Sequence, residues 1–171
     1  VREILLLGNP VLRKKCSPLR DVAHGEVRAL VDDLRDTLAD FRSRKGFGRG
    51  IAAPQIGSSK QVIFLNYEIQ GALINPRITK RSKRTFLLWD DCFSFPDILV
   101  KVVRNETIAV SYLDESGTRR KINATAALSE LLQHEIDHLN GVLAIDRAID
   151  SKHIILRSEF EKLAHQEPMT L

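Results

Sequence analysis

Residues His134-Glu135-Ile136-Asp137-His138 form an H-E-x-x-H run, and no other segment restricts what this chain can fold into as tightly. Two histidines four residues apart fall on one face of an α-helix, one turn above the other, where both imidazoles can reach a single metal ion. The glutamate beside the first histidine then stands next to any water on that ion. This suits hydrolysis at neutral pH, because the metal acidifies the water and the carboxylate takes its proton. The helix reads from a cap at Asn123 or Thr125 through Leu139, with Asn140-Gly141 as its stop. Ala127, Leu131, His134 and His138 share one stripe, flanked by Leu128, Leu132, Glu135 and Leu139. A helix apolar nearly all round belongs in the interior, so the chain must wrap around it and the histidines must face an internal site.

A lone core histidine is usually satisfied by hydrogen bonds, but two at this spacing around a glutamate point to a metal. A structural zinc normally takes four protein ligands, whereas a catalytic ion takes three and keeps one position open. The third donor therefore decides between them. Cys92, in Trp89-Asp90-Asp91-Cys92-Phe93-Ser94-Phe95-Pro96, is the expected ligand, since a thiolate suits a soft or borderline ion, with Asp90 and Asp91 as competing donors. Its plain alternative is an inert buried thiol. His24, His153 and His165 lie in polar contexts and are weak ligands, and Cys16, beside Lys14 and Lys15, reads as structural or surface. Gly48-Arg49-Gly50-Ile51-Ala52-Ala53-Pro54-Gln55 offers backbone that a ligand can approach closely, and an amide, Gln55, for a developing oxyanion. It has neither the lysine of a phosphate-binding loop nor the third glycine of a dinucleotide fingerprint.

The remaining elements set these segments in one domain, residues 1–171. Val27, Leu30, Val31, Leu34, Leu38 and Phe41 recur at helical spacing, giving an N-terminal amphipathic helix from Glu26 to Arg44. Strands are expected at Val62–Leu65, at Ala72–Ile74 closed by Asn75-Pro76, at Leu99–Val103, and at Thr107–Leu113 returning through Asp114-Glu115-Ser116-Gly117 to Thr118–Ile122. Val142–Ile145 reads as a short strand, and a final polar helix runs from about Ser151 to His165. The basic run from Arg77 to Arg84 reads as a solvated loop or edge-strand face, with anion binding as its rival. A formal charge of +4 favours anionic partners without establishing one, and no nucleic-acid specificity is implied. No apolar stretch nears the roughly 18 residues that span a bilayer, and the apolar run around Ile4–Leu7, with Glu3 before it, is too short for a secretory signal.

With these three segments in order, the chain resembles the peptide deformylase family over nearly its whole length. The family motifs G-Φ-G-Φ-A-A-x-Q, E-G-C-Φ-S and H-E-Φ-D-H, with Φ apolar, align with Gly48–Gln55, Asp90–Ser94 and His134–His138. The resemblance implies an α+β fold of antiparallel sheets around a central metal-bearing helix. It also implies one divalent ion on Cys92, His134 and His138, usually Fe(II), with zinc, nickel or cobalt also functional. The implied substrates are N-formyl-methionyl peptides of new chains, processed in the cytoplasm with release of formate. Glu135 would move the proton, Gln55 and the Phe93 backbone N–H would hold the oxyanion, and Gly50 would align the peptide. Three departures accompany the match. Arg49 stands where an apolar residue lines the methionine pocket, with Glu130 one turn before His134 on the same side, and Asp90-Asp91 replace Glu-Gly. Asp90 is expected to pair with Arg104. In some relatives a basic C-terminal helix contacts the ribosome. Here acids balance Lys152, Arg157 and Lys162, leaving the Arg77–Arg84 run as a substitute for transient contact. The rivals are a related amidase with altered substrate preference, a catalytically impaired deformylase-like protein, and a zinc endopeptidase.

Overall fold

The computed structural model describes residues 1–22 and 25–164. Two antiparallel sheets and three α-helices make an α+β fold. The strands are β1 (Gly50–Ala52), β2 (Val62–Asn66), β3 (Gln70–Arg81), β4 (Thr85–Asp91), β5 (Ile98–Asn105), β6 (Thr107–Leu113), β7 (Arg119–Thr125) and β8 (Ile154–Leu156). The larger sheet runs β1-β2-β3-β6-β7 and the smaller β4-β5-β8. The helices are α1 (Gly25–Lys45), α2 (Ala126–Leu139) and α3 (Arg157–Ala164).

The continuous apolar run of β2 follows from burial on both faces. Val62 and Phe64 join the cluster under α1, with Val31, Leu34, Leu38 and Phe41. Ile63 and Leu65 point the other way, into the cluster with Leu128, Leu131, Leu132 and Ile136 of α2. Successive side chains alternate across a sheet, so a strand between two helices has no polar face to show. A third cluster, built on Leu12, Cys92, Phe95, Val100, Val102 and Leu143, joins the smaller sheet to the N-terminal segment and to the chain just past α2. Every residue of α2 from Leu128 to Leu139 is buried, as its pattern required.

Several boundaries differ from the sequence expectation. β3 does not stop at Asn75-Pro76 but continues to Arg81 through a register shift between Ile74 and Arg77. Asn75 takes the left-handed conformation (φ 51°), and its side chain is fixed by accepting from Leu19 N and donating to Leu19 O, both at 2.8 Å. A bulge there spares Pro76 the ladder bond it cannot donate. Val142–Ile145 is not a strand: the Asp146 carboxylate accepts from Leu143 N at 2.8 Å and closes a 3₁₀ turn over Ala144–Arg147. The final helix is shorter than expected. Asp150 caps a 3₁₀ turn at Ser151–His153, and the β-branched pair Ile154-Ile155 extends as β8 against β5 before α3 begins at Arg157. His24 and His165, including the expected end of that helix, lie outside the described residues. Asn123 belongs to β7, and Thr125 takes the N-cap position of α2 without a side-chain cap bond. The basic run forms the exposed end of β3, an interior strand and not an edge, and the turn into β4. Cys16 is buried against α2, and both cysteines are free. Among the described residues no helix is long and apolar enough to cross a membrane.

Candidate active site

α2 delivers His134, Glu135 and His138 from one buried face, and β4 delivers Cys92 from the residue after its end. The β4–β5 ladder holds register up to Asp91 opposite Leu99, and the turn that follows is tied by Phe95 N donating to Cys92 O at 3.1 Å. Cys92 Sγ thereby comes within 3.3 Å of His138 Nε2, which is 3.2 Å from His134 Nε2. All three ligand atoms lie within 4.8 Å of one another, and all three residues are buried. Ligands at zinc-like bond lengths on a tetrahedron stand roughly 3.3–3.8 Å apart, so this sulfur and two nitrogens fit one divalent ion.

The competing carboxylates are engaged elsewhere. Asp90 places Oδ1 2.9 Å from His134 Nδ1, an ion-pair contact off hydrogen-bond alignment. Its other oxygen accepts from Arg104 Nη2 at 3.0 Å, the pairing expected from sequence. Arg104 also donates to Asp137 at 2.5 Å, and Asp137 accepts from Arg147 at 2.8 Å. This buried network backs the triad, with Asp90 set against the His134 ring nitrogen on the side away from Cys92 and His138. Burial raises the Asp90 carboxyl, but the His134 and Arg104 charges more than offset it and hold it down to about 2. Burial lowers His134, yet the Asp90 charge lifts it well above its ordinary value. His138 is driven well below by burial and by the neighbouring His134. Asp91 accepts from Arg157 of α3 at 2.7 Å. Asp90, Glu130 and His134 form a second cluster of ligand-type atoms, but Arg104 and Arg49 already occupy its carboxylates.

Glu135 and Gln55 flank the triad. The Glu135 carboxyl is buried, which pushes it up to about 7, and among the described residues its Oε2 has no hydrogen-bond partner. Gly50 makes room for it, since a Cβ on Gly50 would sit 2.8 Å from Glu135 Oε1. Gln55 sits in a 3₁₀ turn over Ala53–Ile56. Its Oε1 accepts from Ala52 N at 2.9 Å, leaving Nε2 aimed at Cys92 Sγ (3.6 Å) and Ser94 Oγ (3.4 Å). The Phe93 ring stacks on Phe41 at 3.8 Å between centroids. A cavity of about 440 Å³ opens on this constellation, with Phe47, Arg49, Tyr67, Asp91, Phe93 and Glu130 among its walls.

All the site residues named from sequence thus border one cavity or its metal triad. Sequence reasoning missed Phe47 and Tyr67, and gave Arg157 only a place in the charge balance of the last helix. Arg157 bonds Asp91 and lies 4.4 Å over the Phe47 ring, strapping two cavity walls together. The one signal available was Asp91 itself, an acid at a glycine position that calls for a cation.

Residues 1–153 match the family model for polypeptide deformylase. The chain belongs to that family. Among curated deformylases, that of Methylocella silvestris is 37% identical over 98% of this chain and 89% of its own, and that of Rhizobium meliloti 34% over 96% and 94%. The solved deformylase of Legionella pneumophila superposes with a TM-score of 0.81 at 31% identity, covering 98% of this chain and 99% of that one. The Synechococcus elongatus deformylase, solved with actinonin, gives 0.81 at 30%, covering 99% and 87%. As a deformylase the chain is a metal-binding hydrolase, and Cys92, His134 and His138 are its metal triad.

Proposed function

We propose that this deformylase, one domain over residues 1–171, removes the N-formyl group from N-formyl-methionyl peptides of new chains in the cytoplasm, releasing formate and a free amine. The observation that carries this reading is the placement of an unpartnered Glu135 carboxylate and the Gln55 amide on either side of the Cys92, His134 and His138 triad. A divalent ion held by these three, Fe(II) in this reading with zinc, nickel or cobalt as functional substitutes, supplies Lewis acidity and an acidified water. Glu135 takes the proton of the attacking water and returns it to the departing nitrogen. Gln55 Nε2 and the Phe93 backbone N–H donate to the oxygen that gains charge. Gly50 presents main chain to the peptide and leaves Glu135 its space. A transient ribosome contact falls to the exposed basic run from Arg77 to Arg84. There Arg84 pairs with Glu106, but Arg77, Lys80 and Lys83 form no ion pair among the described residues, whereas Arg157 and Lys162 of α3 are engaged by Asp91 and Glu159.

The test is anaerobic purification with metal analysis, followed by formate release from formyl-Met-Ala. Glu135→Gln is expected to lower kcat by about 10²–10⁴, and Gln55→Ala by about 10²–10³, with metal content unchanged. Undiminished formate release by Glu135→Gln would refute the reading.

A further inference from the structure

Beside the metal triad, the cavity wall is an ion pair. Arg49 Nη2 donates to Glu130 Oε2 at 2.6 Å, and Nη1 to Ala127 O at 3.4 Å. The guanidinium lies 5.4 Å from the Tyr67 ring centroid. The Glu130 side chain is 5% exposed, whereas that of Arg49 keeps 36% of its surface open. The two bonds use two of the five guanidinium N–H groups, so donors remain for whatever fills the cavity. Arg49 adjoins Gly50, which abuts Glu135, and Glu130 lies one turn before His134. The same cavity runs from Gln55 and Glu135 to Arg49, Glu130 and Leu131, so this space adjoins an amide held between Gln55 and Glu135.

We infer that the Arg49–Glu130 pair makes this subsite accept formyl peptides whose first side chain has the length of methionine but carries a hydrogen-bonding group, such as glutamine. This rests on the deformylase reading and extends its substrate class beyond methionine. An apolar pocket rejects a polar isostere because the entering group loses water and finds no replacement. Here the guanidinium supplies that replacement, and its stem, with Leu131, covers the methylenes. The pair is close to neutral, so it selects for hydrogen bonding and not for charge. Removing one partner would strand the other in a partly dry wall, whereas an apolar pair of similar volume is tolerated. The informative variant is therefore the double one, Arg49→Ile with Glu130→Leu.

The experiment compares kcat/KM for formyl-Met-Ala, formyl-norleucyl-Ala and formyl-Gln-Ala on the metal-loaded enzyme. It also measures calorimetric binding of the products Met-Ala and Gln-Ala to metal-free protein. The wild type is expected to favour methionine over glutamine by no more than about tenfold, and the double variant by about a hundredfold, with product affinities moving in parallel. Arg49→Gln with Glu130→Gln, which keeps hydrogen bonding without charge, is expected to retain the wild-type ratio. A wild-type preference for methionine already near a hundredfold overturns the inference, even if the double variant fails to fold, and so does a ratio unchanged in a folded double variant. Formate from formyl-Met-Ala with glutamine rejected leaves the deformylase reading standing and refutes this extension alone. Formate from none of the three peptides refutes both.

Discussion

At the scale of single residues, the site depends on space as much as on chemistry. Gly50 shows why. A methyl group there would meet Glu135 Oε1 at 2.8 Å and Leu65 Cδ2 at 2.9 Å, closer than carbon atoms pack. Both neighbours are buried, so neither can swing into solvent. Gly50→Ala is expected to push the carboxylate out of line and lower kcat more than it raises KM. The accompanying loss of stability should be about 1–3 kcal/mol, typical of overpacking, and urea unfolding beside steady-state kinetics would measure both. Equal kcat in Gly50→Ala would mean that the Glu135 position is not critical. Cys92, His134, His138, Glu135 and Gln55 were readable from residue type and spacing. Phe47 and Tyr67, which line the cavity, and Arg157, which bonds its wall at Asp91, were not, because each comes from a segment without a motif of its own.

At the scale of elements, pattern recovered strands and helices where burial was uniform or alternating, and failed where one side chain redirects the backbone. Asn75 bonds to Leu19 and carries β3 past a proline that looked like its end. Asp146 turns an apolar tetrapeptide into a 3₁₀ turn. The β6–β7 hairpin was legible, and Asp114 explains it. Its carboxylate accepts from Ser116 N, Ser116 Oγ, Thr118 N and Arg120 Nε. These bonds, that of the Ser116 hydroxyl first, hold the carboxyl well below the usual carboxylate range. A depressed folded-state pKa gives stability that is present above the unfolded value, near 3.9, and lost as pH falls through the folded one. Asp114→Asn is therefore expected to be less stable than the wild type at pH 7, and the gap should close on acidification below about pH 4. Denaturant titrations of metal-free protein across pH 2–7 would read it, and a gap constant with pH would show that the charge is not what matters.

At the scale of the whole molecule, the fold exists to bring a strand end and a helix face together. Residues 42 positions apart in sequence, Cys92 and His134, meet only because β4 pairs with β5 while α2 packs on β5 and on the larger sheet. Metal should then stabilise the assembled state, because the unfolded chain has no such site. At a hundredfold excess over Kd the gain is about 2.7 kcal/mol, which at this size raises Tm by about 5–11 °C. Adding zinc to chelator-treated protein in a thermal scan is expected to give that rise, and Cys92→Ala to abolish most of it. An equal rise in Cys92→Ala would remove the thiolate from the ligand set. The sequence by itself determined the buried helix, the donor types and the family, because periodicity and short motifs are local properties of the chain. Only the tertiary structure decided which acids stay out of the metal site and which cations hold them. The Asp90–Arg104 pair, 14 residues apart, was already expected from the family resemblance, whereas Arg49 and Arg157 reach Glu130 and Asp91 across 81 and 66 residues. Charge pairs at such separations are set by packing, which no local pattern encodes.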